Sequence, residues 1–412
     1  MKARYFYIAS LIMIFTGLFT SLQFTLSTGN QPWLEERLII DGNNYIGGMN
    51  SIIAGNDFLH LENTRQSPGY QMYLALLHMI VRDQNIIFKV VKMIAWVVTV
   101  LSSGLIFYLG ERYFGRYVGA VAAMLFSFSY KYHAYINLLQ YEVLAGFLFL
   151  VYVYLQLALI SCQKTRLRSM LLVATGTVAT VICFIHFRFL YVIPFGLLYL
   201  YISGRRYPYD RQRPFRHMLS ALFLFILPFL LLFVTWSVYQ SSVHHEVVVG
   251  QDGLVSLFNE YNSIHSVGWA YPPPEKIEGP LGVAFIVSYP GKFLWLIKER
   301  FLYLWDLKKD IWYVGHPLIG YLDKRFNKEV FALPFYLVCF IAFFIGMLQK
   351  AAADVKRGYI EVTSCFYFTL LPALIIPLFV FSSSRYLVPV VPLIILFQAY
   401  VIRYLTFGAP ER

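Results

Sequence analysis

Residues 138–161 read LLQYEVLAGFLFLVYVYLQLALIS, an apolar stretch interrupted by a single charged residue, Glu142. A helix of about 20 apolar residues crosses the hydrocarbon core of a bilayer, which is about 30 Å thick. Similar stretches recur along the chain and predict ten membrane-spanning helices, at about 5–26, 88–110, 117–135, 138–161, 168–187, 189–203, 217–241, 330–349, 359–381 and 386–407. The sequence therefore predicts an all-α integral membrane protein, with residues 1–412 forming a single multi-spanning domain.

The overall composition agrees with this class, because 58% of the residues are hydrophobic and only 14% are charged. The net charge of +12 does not indicate nucleic-acid binding, since Lys and Arg lie in short loops between apolar stretches and form no continuous basic face. The four cysteines lie in or at the ends of apolar stretches without a CxxC spacing. They predict packing residues and indicate neither a disulfide framework nor a zinc site.

The distribution of basic residues predicts the orientation in the membrane. Lys and Arg cluster at the N-terminus, in alternate loops such as 205–216, and in the C-terminal tail. Because loops rich in Lys and Arg stay in the cytoplasm, we expect both termini there. The two long loops, at about 27–87 and 242–329, then face outward. Residues 45–53 and 290–306 within them show apolar helical spacing and predict amphipathic helices on the outer leaflet.

Four charged residues lie on this outer side, in or beside apolar stretches: Asp41, Glu142, Arg188 and Arg385. An ion within the membrane costs several kcal/mol unless it is paired or wetted, so intramembrane charges usually mark functional sites. We therefore expect these side chains to line one outward-facing cavity.

Several short motifs occur in order along the chain, namely DGNNYIGGMNSIIAG from residue 41, TRQSPGYQMYLALLH at 64–78, LLQYEVLAGFLFL at 138–150, FRFLYVIPF at 187–195, YPGKFLWLIKERFLYLW at 289–305 and SRYLVPVVPLI at 384–394. In order and sidedness they resemble the polyprenyl-phosphate-sugar-dependent glycosyltransferases of the GT-C type. More narrowly, the chain is similar to the branch that contains the protein mannosyltransferases and the lipid A aminoarabinose transferases.

The resemblance implies an inverting enzyme of the cell envelope that moves a single hexose or pentose from a polyprenyl-phosphate donor to an acceptor hydroxyl outside the membrane. It implies Asp41 as general base, although family members often carry two adjacent acids where this chain has Asp41 and Gly42. Glu142 matches the family's second acidic residue. The alternatives are that Asp41 is the N-cap of the following helix and that Glu142 touches headgroup water.

Arg188 and Arg385 are the candidates for binding the donor phosphate, because a guanidinium offers a fork of donors suited to phosphate oxygens. Arg385 and Tyr386 belong to an RY-x-x-P-x-x-P pattern that the family shares. The alternative for each arginine is an anchor at a helix end. Second-rank phosphate or acceptor contacts are Arg65, Lys292, Lys298 and Arg300.

No further cofactor is required by the sequence, which lacks a G-x-x-x-x-G-K loop for a nucleotide donor. His244 with His245 and His60 with Glu62 have no spacing that defines a metal site, so a divalent metal is unsupported. A glycan, a lipid and a protein hydroxyl all fit as acceptor. The rival interpretations are an oligosaccharide polymerase or ligase, which would use a lipid-linked chain as donor, and a transporter or flippase of lipid-linked sugars.

Overall fold

The computed structural model describes residues 2–27, 36–54, 68–129, 132–133, 135–137, 140–162, 164–206, 214–244, 262–263, 266, 280–305, 328–379 and 384–408. Over these ranges the chain is helical and contains no strand. The α-helices are α1 (Lys2–Ser27), α2 (Glu36–Ile53), α3 (Pro68–Val81), α4 (Gln84–Tyr113), α5 (Arg116–Ser127), α6 (Glu142–Ser161), α7 (Thr165–Ile185), α8 (Val192–Arg206), α9 (Pro214–His244), α10 (Gly282–Ser288), α11 (Pro290–Leu304), α12 (Lys328–Lys356), α13 (Ile360–Phe379) and α14 (Val391–Phe407). Short 3₁₀ segments occur at Tyr135–Asn137, Phe187–Tyr191 and Ser384–Val390.

Eight segments within the described ranges are long and apolar enough to cross a membrane, and they lie in α1, α4, α6, α7, α9, α12, α13 and at 386–407. The prediction of an all-α membrane protein is confirmed. The other two predicted spans, 117–135 and 189–203, correspond to the shorter apolar helices Arg116–Ser127 and Phe187–Ser203. A helix as short as α5, with 12 residues, is about 18 Å long and crosses only part of a hydrocarbon core.

The helices differ in how much of their surface the protein covers. In the segment Tyr386–Phe407, the protein buries 78% of the apolar 18-residue stretch, against 11% in Met218–Trp236 of α9. Large apolar side chains on the peripheral helices are exposed, including Phe15 of α1 and Leu231 of α9. The C-terminal helix α14 is therefore central, whereas α1 and α9 present apolar surface suited to lipid.

Close helix pairs depend on glycine. A Cβ atom on Gly110 of α4 would lie 2.5 Å from the Cα atom of Gly119 of α5, and a Cβ atom on Gly176 of α7 would collide with the backbone carbonyl of Phe225 of α9. Small residues let membrane helices approach until their backbones are in van der Waals contact. A larger side chain at either position would push the two helices apart.

The helices predicted within the two long loops, at 45–53 and 290–306, are present. Helix α11 begins with Pro290 at its first position and buries Phe293 and Leu296. Helix α2 packs on α3 and buries Tyr45 and Met49. Because α2 begins at Glu36, Asp41 lies in its second turn, so the interpretation of Asp41 as the N-cap of this helix is wrong.

All four cysteines are free thiols, and Cys183 and Cys365 are buried. This agrees with the predicted packing role.

Candidate functional site

Aromatic rings connect the segments that carry the predicted charges. The Tyr45 ring of α2 lies 4.9 Å from the Tyr70 ring of α3, and the Tyr70 ring lies 6.3 Å from that of Tyr141, which precedes α6. The Tyr141 ring is in turn 6.4 Å from Phe189 in the segment Phe187–Tyr191. These four residues, Tyr45, Tyr70, Tyr141 and Phe189, are called the aromatic cluster below. The fold therefore brings together four of the sequence motifs, which are distant from one another along the chain.

Two of the predicted site residues are placed by their backbone alone. Asp41 and Tyr45 are four residues apart on α2 and so occupy neighbouring positions on one face of that helix. Arg385 immediately precedes Tyr386 in the segment Ser384–Val390. The side chains of Asp41 and Arg385 lie outside the described part of the structure, as does the whole of Arg65.

Glu142 is the first residue of α6 and is fully buried. A carboxylate in the first turn of a helix is stabilised by the positive end of the helix dipole. Its burial argues against the alternative of a glutamate in headgroup water.

Tyr70 lies close enough to Glu142 to interact with it electrostatically. Burial raises the pKa of Tyr70 well above its usual value, and the neighbouring Tyr73 and Glu142 raise it further. Burial likewise raises the pKa of Tyr73 to about 12. Both phenols are therefore neutral near pH 7 and able to donate a hydrogen bond.

Arg188 connects the aromatic cluster to the segment that carries Arg385. Its guanidinium carbon lies 4.0 Å from the centre of the Tyr386 ring, 4.7 Å from Phe189 and 5.3 Å from Tyr141. The backbone N–H of Arg188 donates to Nδ1 of His186 at 3.2 Å, which stabilises the start of the 3₁₀ turn. Arg188 thus joins two 3₁₀ segments, one of which leads into α8 and the other into α14.

The guanidinium nitrogens of Arg188 are unusual because they are buried without hydrogen bonds to the described residues. Nε, Nη1 and Nη2 are all buried, and none of them has a hydrogen-bond acceptor within the part of the chain that the structure describes. Cation–π contacts compensate only part of this cost, at about 0.5–2 kcal/mol each, whereas a buried charge without hydrogen bonds costs several kcal/mol. An oxyanion beside the guanidinium would supply the missing acceptors.

Arg300 is engaged differently. It is fully buried, and its Nη1 donates to Oδ1 of Asn262 at 3.1 Å and to the carbonyls of Leu378 and Phe379 at 3.0 Å each. Asn262 also donates to the Phe379 carbonyl, at 2.9 Å. These bonds cap the C-terminal end of α13 and fasten α11 to it. The protein itself thus supplies the acceptors of Arg300. The two carbonyls lie at the end of α13, just before the segment that contains Arg385.

The two lysines of α11 lie toward the surface. Lys292 Nζ lies 3.9 Å from the centre of the Trp295 ring, and burial lowers its pKa while Glu299 opposes the shift. Lys298 is exposed. Among the described residues, neither lysine forms a polar or cation–π contact with Arg188 or with the aromatic cluster.

The sequence analysis named Tyr386 but missed Tyr45, Tyr70 and Tyr141 as residues of this site, although one signal was available. Tyr141 and Tyr386 are each adjacent in sequence to a predicted charge, Glu142 and Arg385. Their neighbours in space became visible only in the folded chain. Over the described ranges, no group of three or more His, Cys, Asp or Glu residues is placed to hold a metal ion.

No protein-family model matches this sequence, and no curated protein matches it. Two solved structures from Archaeoglobus fulgidus are similar in fold. One is an oligosaccharyltransferase in complex with Zn and sulfate, with a TM-score of 0.56 and 11% identity over 96% of this chain and 49% of that chain. The other is the archaeal oligosaccharyltransferase AglB in complex with an inhibitory peptide and a dolichol-phosphate, with a TM-score of 0.51 and 9% identity over 98% of this chain and 52% of that chain.

The chain thus spans about half the length of these two structures. At this level of identity the similarity concerns the fold. Together with the apolar helices, it shows an all-α membrane protein of GT-C-like fold.

Proposed function

We propose that this protein is an inverting glycosyltransferase that moves a single sugar from a polyprenyl-phosphate donor to an acceptor hydroxyl on the outer face of the membrane. The observation that carries the proposal is the Arg188 guanidinium, which is buried against Tyr386 and Phe189 without a hydrogen-bond acceptor in the described residues. A phosphate is the common ligand that best matches such a fork of donors. The similar fold of an oligosaccharyltransferase solved with dolichol-phosphate supports a lipid-linked donor.

In this proposal Arg188 and Arg385 bind the donor phosphate, and Tyr386 holds the guanidinium of Arg188 in place. The acceptor oxygen attacks the anomeric carbon, the bond from that carbon to the phosphate oxygen breaks, and the electron pair leaves with the polyprenyl phosphate. Positive charge beside the phosphate stabilises the negative charge that develops on it. Arg65 and Lys292 would guide the donor headgroup from further out, with Lys298 at the exposed rim.

Asp41 is the proposed general base, which takes the proton of the attacking hydroxyl. Its position on α2, one turn before Tyr45 of the aromatic cluster, supports this role. Glu142, buried at the start of α6, would orient the acceptor side of the site. Both acids then serve one outward-facing cavity.

The proposed orientation is independent of the chemistry and has its own test. Single cysteines placed near residues 57 and 276 should react with a membrane-impermeant thiol reagent added outside, and one near residue 211 should be protected. The opposite labelling pattern would place the cavity on the cytoplasmic side.

The proposed reaction is tested with the full chain purified into nanodiscs. Polyprenyl-phosphate sugars are added singly, and release of polyprenyl phosphate is measured together with the anomeric configuration of the product. We expect turnover with at least one single-sugar donor, loss of turnover in Arg188→Met, and normal turnover in the control Lys164→Met, which changes an exposed lysine outside the proposed site. Equal activity of Arg188→Met and the wild-type chain would contradict the proposed phosphate contact.

Two further arms separate the rival functions. Turnover only with lipid-linked oligosaccharides would indicate an oligosaccharide ligase. Movement of an intact donor across a proteoliposome membrane, without polyprenyl phosphate release, would indicate a transporter.

A further inference from the structure

His186 lies at the junction between α7 and the 3₁₀ segment that carries Arg188. Its extended backbone ends α7, and its N–H still donates to the carbonyl of Ile182 at 3.2 Å. Its own carbonyl accepts from the N–H of Phe189 at 3.0 Å, and its Nδ1 accepts from the N–H of Arg188 at 3.2 Å. One residue therefore ends the helix and also fixes the turn that carries the proposed phosphate contact.

Two further contacts hold this turn in place. The thiol of Cys183 donates to the carbonyl of Phe189 at 3.4 Å, which ties the turn to the last turn of α7. The His186 ring lies 4.9 Å from the ring of Tyr141, and the Arg188 guanidinium carbon lies 5.3 Å from the same ring. The backbone of Arg188 is thus set by the end of α7, and the Nδ1 of His186 is the side-chain atom that holds it.

This hydrogen bond defines the protonation state of His186. Because Nδ1 accepts from an N–H, the imidazole is neutral and carries its one proton on Nε2. A second proton could bind only at Nδ1, where it would face the N–H of Arg188 and end the hydrogen bond. The added positive charge would also lie against the ring that the Arg188 guanidinium contacts. Protonation of His186 therefore opposes the turn that presents Arg188.

Other titratable or charged groups lie around His186 on the neighbouring segments, namely Arg188, Tyr191, Tyr141, Glu142, Tyr70 and Tyr386. The neighbouring rings of α9, Phe233 and Trp236, carry no charge. Arginine stays charged and phenols stay neutral between about pH 5 and 8. The acids Glu142 and Asp41 are the groups whose charge could also change in this range, so the test below compares proteins that keep both.

We propose that neutral His186 is a positioning residue for Arg188. Its Nδ1 holds the backbone of Arg188 so that the guanidinium meets the phosphate of the sugar donor, and protonation of His186 weakens donor binding. This inference rests on the proposed function, in which Arg188 binds the donor phosphate. In this role His186 touches neither the donor nor the acceptor.

Two substitutions separate the acceptor atom from the aromatic ring. His186→Asn keeps a neutral acceptor, because Asn is a favoured N-cap residue whose side-chain oxygen accepts from an N–H two or three residues later. His186→Phe keeps a ring beside Tyr141 and has no acceptor. His78→Asn is the control, since His78 is a half-buried histidine on α3, more than two turns from Tyr70.

The probe is methyl farnesyl phosphate, a polyprenyl phosphodiester that carries no sugar and keeps one negative charge throughout. Microscale thermophoresis of the detergent-purified full chain measures its affinity at about pH 8 and about pH 5, on either side of the titration of histidine. At the higher pH we expect equal binding by the wild type, His186→Asn and His78→Asn. His186→Phe should bind about tenfold more weakly, which corresponds to about one hydrogen bond.

The lower pH tests the protonation of His186. The wild type and His78→Asn should then lose at least about fivefold in affinity relative to His186→Asn, because most of their His186 is protonated. Thermal unfolding without the probe identifies the folded variants, and the comparison with His186→Asn decides if His186→Phe does not fold. Wild-type affinity in His186→Phe, affinity in His186→Asn as low as in His186→Phe, or the same pH dependence in the wild type and His186→Asn would overturn the proposal.

Arg188→Met distinguishes failure of this inference from failure of the proposed function. If Arg188→Met loses the phosphodiester and His186→Phe binds it like the wild type, the positioning role is wrong and the phosphate contact stands. If Arg188→Met binds it as tightly as the wild type, the phosphate contact is wrong, and the positioning role falls with it.

Discussion

Replacing Arg188 with Met should have opposite effects on stability and on donor binding. Met keeps an unbranched apolar stem, and its sulfur contacts aromatic rings favourably. In the ligand-free protein the change removes cation–π contacts with Tyr386 at 4.0 Å, Phe189 at 4.7 Å and Tyr141 at 5.3 Å, which contribute about 0.5–2 kcal/mol each. It also removes a buried guanidinium that has no hydrogen-bond acceptor among the described residues, and such a charge costs several kcal/mol. We therefore expect Arg188→Met to be as stable as the wild type or more stable by about 1–2 kcal/mol.

Donor binding should fall steeply in the same variant. A charge-assisted hydrogen bond contributes about 1.5–3 kcal/mol, so the loss of two bonds to a phosphate corresponds to about 3–6 kcal/mol. That is a loss of at least about a hundredfold in donor affinity. Arg188→Lys keeps the charge without the fork, so we expect it to lie between Met and the wild type.

Arg300 is the matched control, because it is a buried arginine whose acceptors belong to the protein. Arg300→Met removes three hydrogen bonds, to Asn262 Oδ1 and to the Leu378 and Phe379 carbonyls, of which the Phe379 carbonyl keeps the bond from Asn262. Each buried acceptor that loses its donor costs about 1–3 kcal/mol. Thermal unfolding in detergent, with and without a polyprenyl-phosphate sugar, compares the two variants. We expect the donor to stabilise wild type and Arg300→Met but not Arg188→Met. A ligand-free Arg188→Met that unfolds earlier than Arg300→Met would refute this reasoning and make Arg188 a helix-end anchor.

The remaining predictions concern the two acids, the second arginine and a buried ion pair. Asp41→Asn should abolish sugar transfer without changing thermal stability, because an amide cannot take the acceptor proton, and normal turnover would remove Asp41 from the mechanism. Glu142→Gln should lower turnover while donor-induced stabilisation persists, which a donor titration would check. Arg385→Lys should weaken donor binding and turnover together, and Arg385→Ala should do so more strongly; unchanged values in Arg385→Ala would exclude a phosphate contact. Asp354→Asn breaks a buried ion pair in which Lys350 Nζ lies 2.5 and 2.6 Å from the two carboxylate oxygens. The free energy of unfolding should therefore fall by about 3–5 kcal/mol, while the donor affinity of the folded protein should not change.

The helical membrane fold could be predicted from the sequence because the bilayer imposes a simple rule. Backbone groups in hydrocarbon must be paired within the segment, so a long apolar stretch such as 142–161 has to be a helix. Helix α5 was predicted too long, to residue 135, because aromatic residues such as Phe128 and Tyr132 follow Ser127, where the helix ends. The start of α2 was also missed, because the residues before Asp41 carry no strong cap signal, and this error is what suggested a capping role for Asp41.

The sequence analysis named charged residues of the candidate site, but it could not predict which of them the protein itself hydrogen-bonds. Arg188 and Arg300 were both predicted as possible phosphate contacts, and nothing adjacent to either in sequence shows which one has acceptors within the protein. Arg300 finds its acceptors in Leu378 and Phe379, 78 and 79 residues away, whereas the contacts of the Arg188 guanidinium among the described residues are with aromatic rings.

By itself, the sequence determined the membrane class, the helical segments and the types of charged residue available for phosphate chemistry, because hydrophobicity and charge act locally along the chain. Only the tertiary structure decided that the Arg300 guanidinium is hydrogen-bonded to the protein and that the Arg188 guanidinium has no acceptor among the described residues. Hydrogen-bond partners come from segments distant in sequence. For the same reason, the burial of Glu142 could not be predicted until the helices had packed around it.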